Sequence, residues 1–240
     1  MRRPALAAQC DGLITHYYDS TGTDRVTIVT GGSRGVGREV VRKLANRGYA
    51  VVVGYIRDQG AADSIVEEAL AAGGTALTIR ADVADELDVE RMFAETAEAF
   101  GGVDVVVHAA GQVCPGPVAD HDLDRFDALQ RTNVRGAFVV NRQAGRQLRE
   151  GGTIVNLSGC AVAPALPPDA ASAASKGAVE VMTRVLAREL RGRQITVNAV
   201  APGPEIPGDP AVIADVVAFL VSGDGRSLNG QVLRVDGGTQ

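Results

Sequence analysis

From Arg25 to the end of the chain, short runs rich in valine and isoleucine alternate with longer stretches of helical period. No other feature constrains the fold as strongly. The runs 26–30, 50–53, 75–80, 103–107, 153–157, 195–200 and 232–235 read as strands, and the valine-rich fourth run predicts burial on both faces. Between them lie predicted helices over 36–44, 61–72, 89–100, 124–149, 170–190 and 210–221. Gly73-Gly74 and Gly101-Gly102 stand where the second and third helices should stop. Strands that alternate with helices of this length form βαβ units. The expected fold is therefore α/β, a doubly wound parallel sheet of about seven strands flanked by helices. No linker or change of composition divides residues 25–240, which read as a single domain. Residues 1–24 lack periodicity and read as a flexible N-terminal extension.

The formal charge of −5 offers no basic field for nucleic acid and no polybasic stretch for an anionic membrane. No apolar run is long enough to span a bilayer, and the one near the N-terminus is too short for a secretory signal. Three scattered cysteines, Cys10, Cys114 and Cys160, argue against a disulfide framework and fit a reducing compartment. His16, His108 and His121 are equally scattered, without metal-ligand spacing. A cytoplasmic location is the expectation. Of the 24 basic residues only Lys43 and Lys176 are lysines, so each invites scrutiny.

Glycine is abundant, 29 of 240 residues, against a usual share of roughly 7%. One cluster carries chemistry. The first strand ends in Thr30-Gly31-Gly32-Ser33-Arg34-Gly35-Val36-Gly37. Glycines between a first strand and a first helix let the backbone turn sharply and bring N–H groups close to a pyrophosphate. From Arg25 onward the chain resembles the short-chain dehydrogenase/reductase family, in its ketoacyl-reductase-like branch, which implies a Rossmann-type fold. Further stretches match in order. Asp82-Val83 resembles the adenine-contacting pair, and His108-Ala109-Ala110-Gly111 the Asn-Ala-Ala-Gly element with histidine in place of asparagine. Asn133 stands where the family keeps an active-site asparagine, and Asn198 to Gly203 and Val235 to Gly238 complete the set. The resemblance implies dinucleotide contacts from Gly31, Ser33, Arg34, Gly35, Val36, Gly37, Tyr55, Asp82, Val83, Ala109, Ala110, Gly111, Lys176, Pro202 and Gly203.

The type of dinucleotide follows from charge. An NAD site places a carboxylate after the second strand to accept from the ribose 2′-OH. Here that stretch is Gly54-Tyr55-Ile56-Arg57, without an acid, and Asp58 lies past the predicted strand end. Arg34 and Arg57 can instead clamp a 2′-phosphate. The expected cofactor is NADP(H).

In this family a tyrosine protonates the alkoxide, a lysine four residues later holds the nicotinamide ribose and lowers the tyrosine pKa, and a serine orients the substrate. Lys176 matches the lysine, but the tyrosine position holds Ser172, and all four tyrosines precede residue 56. The serine position falls on Gly159, with Ser158 beside it. Candidate catalytic residues are therefore Asn133, Ser158, Ser172 and Lys176, where Asn133 reads equally as a buried amide satisfied by backbone. The sequence Pro204-Glu-Ile-Pro207 leads almost directly into the last helix, where the family carries a longer helical lid. Three readings stay open. The first is an atypical oxidoreductase acting on a carbonyl or quinone-type group of a bulky or carrier-bound substrate. The second is an inactive NADP-binding partner of an active paralogue, and the third a non-redox cyclase or dehydratase. A homodimer or homotetramer is expected, built on the helices over 124–149 and 170–190. Ala178, Val181, Met182, Val185, Leu186 and Leu190 form one apolar stripe on the later helix.

Overall fold

The computed structural model describes residues 25–159, 167, 169–203 and 209–235. The N-terminal extension with His16, Tyr17 and Tyr18, Cys10, Cys160 and the stretch read as a shortened lid all lie outside the described residues. In chain order the elements are β1 (Val26–Thr30), α1 (Gly35–Ala45), β2 (Ala50–Tyr55), α2 (Gln59–Ala71), β3 (Thr75–Arg80), α3 (Glu86–Phe100) and β4 (Val103–His108). There follow α4 (Leu123–Gln130), α5 (Gly136–Gln147), β5 (Leu148–Leu157), α6 (Ala170–Glu189), β6 (Thr196–Pro202), α7 (Pro210–Val221) and β7 (Val232–Val235). The strands form one parallel sheet in the order β3-β2-β1-β4-β5-β6-β7. Strand order reverses between β1 and β4, and a crevice opens there beyond the carboxyl ends of the strands.

Alternation along each strand builds two cores. On one face Val29, Val53, Val107 and Val200 pack with Val41 and Leu44 of α1 and Val217 and Leu220 of α7. On the other, Ile28, Val52, Val106 and Ile154 pack with Met92 and Phe93 of α3 and Val139 and Val140 of α5. Both faces are covered, as the valine-rich runs require. Among the described residues no helix is long and apolar enough to cross a membrane.

Two readings from the sequence need correction. The single helix over 124–149 is α4 and α5 joined by a π-helical turn, Arg131–Arg135, which carries Asn133. The apolar stripe of α6 does not present one surface. Leu186 and Leu190 pack into the inner core, while Val181 and Val185 are 56% and 50% exposed. A helix that lies on a sheet must turn its innermost apolar residues to the strands. The inner face of α6 also buries Ser172, Ser175, Glu180 and Thr183, polar residues that no hydrophobic pattern reveals.

Candidate active site

The crevice at the β1/β4 switch point is a cleft of about 890 Å³. The glycine loop forms one wall. Gly31 has φ +68, and a Cβ there would meet the Ala110 backbone at 2.8 Å. A Cβ on Gly37 would collide with the carbonyl oxygen of Gly31. Both positions therefore need glycine, because loop, helix and the strand β4 exit touch backbone to backbone. Arg34 stands at the N-cap of α1 without a capping side chain, and the first turn holds no acid. The N–H groups of that turn are left open to an anion. Ser33, Arg34, Gly35, Val36 and Gly37 all line the cleft.

At the outer end lie Tyr55, Ile56, Arg57 and Asp58. Tyr55 is largely buried in the core behind the cleft, and burial pushes its phenol above the usual range. Its side chain packs into the core and also lines the cleft edge. Asp58 accepts the Ala61 N–H as the N-cap of α2. Arg34 and Arg57 are exposed and form no ion pair among the described residues. Asp82 accepts from Ala84 N with one oxygen and from Arg131 with the other, at 2.9 and 2.8 Å. Arg131 lines the cleft too, and the sequence reading missed it because its partner lies 49 residues away. Val83 lines the cleft beneath it.

At the inner end Ala109, Ala110, Gly111, Pro202, Ser158, Gly159, Ser172 and Lys176 come together. Gly203 falls outside the lining and gives its N–H to Val235 O. Lys176 donates to Leu157 O at 3.0 Å, and burial pulls its amine down to about 8. His108 is buried behind it, with Nδ1 2.9 Å from Thr30 Oγ1. Burial, and then the charge of Lys176, pull the imidazole down to about 3, so it is neutral.

Of the remaining candidates, Ser158 and Asn133 have their hydrogen bonds engaged by the protein. Ser158 Oγ donates to Glu180 Oε1 at 2.9 Å, a carboxylate outside the cleft lining. Asn133 accepts from Gln112 N and donates to Gln112 O and Ser175 Oγ. The Asn133 amide is buried and held by these three bonds. The widened π turn aims its amide at the chain leaving β4, which it clamps. Ser172 Oγ accepts from Cys114 N at 3.1 Å, leaving its own proton unassigned. Asp169, at the N-cap of α6, lines the cleft without capping its helix. Sequence reading gave no signal for that.

A family model described as "Enoyl-(Acyl carrier protein) reductase" matches residues 31–206. The chain is 38% identical to a "Short-chain type dehydrogenase/reductase" of Picea abies, over 89% of this chain and 92% of that one. It is 34% identical to a "Probable tetrahydroxynaphthalene reductase" of Zymoseptoria tritici, over 93% and 98%. Among solved structures, landomycin C-6 ketoreductase LanV with bound NADP and rabelomycin superimposes with a TM-score of 0.84. That match has 33% identity and covers 90% of this chain and 96% of LanV.

Proposed function

The chain belongs to the short-chain dehydrogenase/reductase family, and from that premise we propose that it is an NADP(H)-dependent reductase of a carbonyl or quinone-type group on a bulky, polycyclic substrate. It is an atypical member that works without a tyrosine acid. The observation that carries the reading is the charge at the outer end of the cleft. Among the described residues Arg34 and Arg57 face solvent without carboxylate partners, and Asp58, which follows Arg57 beyond the end of β2, gives one oxygen to the Ala61 N–H as the cap of α2. Two unpaired guanidinium groups suit a 2′-phosphate, and the stretch Gly54-Tyr55-Ile56-Arg57 at the end of the second strand holds no carboxylate for a ribose diol. The open N-terminus of α1 suits the pyrophosphate. Asp82 retains lone pairs for an adenine amino group, and Val83 offers an apolar wall. Lys176 and the Ala109–Gly111 backbone suit the nicotinamide riboside end. When bound, NADPH supplies a hydride equivalent.

The bulky substrate is supported by the relatives. Besides the tetrahydroxynaphthalene reductase they include versicolorin reductase stcU of Emericella nidulans, and LanV was solved with rabelomycin.

Arg57→Ala should weaken NADPH binding by about 10- to 100-fold, the worth of a charge-assisted contact, and leave NADH nearly unchanged. Isothermal titration with both cofactors is the measurement, and equal losses would sink the clamp. NADPH oxidation over a panel of quinones and polycyclic ketones tests the activity. The absent tyrosine also favours a second reading, an inactive NADP-binding partner of an active paralogue. NADPH binding without turnover of any panel member, with co-purification of such a paralogue, would select it.

We further propose a symmetric homodimer or homotetramer. Phe138 of α5 and Val181 and Val185 of α6 leave apolar side chains at least half exposed on adjacent helices. Light scattering at micromolar concentration should return a multiple of 24.8 kDa. A monomer alone would refute it.

A further inference from the structure

We infer that Lys176 itself, through its ammonium group, is the proton donor to the substrate oxygen, the task that a hydroxyl performs elsewhere in the family. The inference rests on the reductase reading above. It follows from elimination within the cleft and from how the amine is held.

Reduction of a carbonyl needs a hydride at carbon, which the cofactor supplies, and a proton at oxygen. Among the described residues the side-chain donors at the inner end of the cleft are few. Ser158 turns its proton to Glu180. Asn133 has both amide protons engaged and an amide is no acid. Ser172 keeps a free hydroxyl proton, but a serine hydroxyl is far too weak an acid to give it up unaided. Lys176 lines the cleft, and among the described residues one of its three N–H groups is donated, to Leu157 O. Two remain for cofactor and substrate.

The surroundings do not fix the charge on that amine. His108, at the end of β4, is neutral. Glu180, on the same helix, is turned to Ser158 and Arg184. Arg131 is tied to Asp82. Asp169 lines the cleft but makes no ion pair with Lys176. An ammonium without a counter-ion among the described residues, lowered to about 8 by burial, lies close to the operating range of a general acid. In the step one N–H bond breaks and its electron pair stays on Nζ. The proton forms the O–H of the alcohol while the carbonyl carbon is reduced and NADPH oxidised. The amine then takes a proton back from water in the cleft.

The test uses the full chain with NADPH and two probes, tetralone and phenanthrenequinone. The turnover number should fall as pH rises through about 8, because the acid form is lost. Lys176→Arg keeps a cation but cannot give up its proton. It should lower kcat by about 10²- to 10⁴-fold and erase that limb while NADPH still binds by fluorescence titration. Ser172→Ala should leave the limb at the same pH. The chain has two lysines, so lysine labelled at Cε yields two NMR signals, and Lys43→Arg assigns them. The Lys176 signal should titrate with the kinetic limb. Absence of turnover with NADPH bound would defeat the reductase reading and this inference with it. Turnover that is flat in pH, that survives Lys176→Arg, or whose limb moves with Ser172→Ala would defeat the inference alone.

Discussion

Gly37→Ala should abolish NADPH binding and lower the melting temperature markedly. The new methyl group lands on the Gly31 carbonyl oxygen, and Gly31 cannot retreat because the Ala110 backbone already crowds it. The strain has no flexible side chain to absorb it. A loss of about 3 kcal/mol or more is expected, with about 2–4 °C of melting temperature for each kcal/mol at this chain length. Thermal melting by circular dichroism and a fluorescence titration with NADPH are the measurements. A variant with native melting and native affinity would show that the loop does not approach β4 as described.

Ser172→Tyr combined with Gly159→Ser should raise the rate on tetralone by about 10²-fold, the low end for a positioned acid, since Lys176 already supplies part of that catalysis. Position 172 lies one helical turn before Lys176, so a phenol there stands beside the ammonium, which favours its ionised form. Gly159 is not in the left-handed region, and a Cβ there meets only the flexible stem of Lys176, at 3.3 Å from Cγ. A serine is therefore tolerated after a small shift. The tyrosine is harder to place. Ser172 is buried and accepts the Cys114 N–H, so that donor loses its acceptor at a cost of about 1–3 kcal/mol. Circular dichroism must first show a native fold. A folded double variant that binds NADPH without gain would mean that more than these two side chains limit the rate of this protein.

What the sequence determined by itself is local or periodic. The strand and helix periods are short-range properties of the chain, and a parallel sheet buried on both faces is the packing that satisfies them. The glycine loop was legible for the same reason, since strand, turn and helix N-terminus are contiguous. So was the pairing of Ser172 with Lys176, because their spacing is one turn of a single helix. The tertiary structure decided what the polar side chains do. Ser158 reads as a free hydroxyl until α6 brings Glu180 to it across 22 residues. Asn133 stays ambiguous until the π turn sets it against Gln112 and Ser175, 21 and 42 residues away. Asp82 gains Arg131 only when the π turn is brought to the chain leaving β3. A buried polar group must find a partner wherever the packing provides one. Hydrogen-bond partners that distant leave no periodic trace in the chain, whereas apolar faces do.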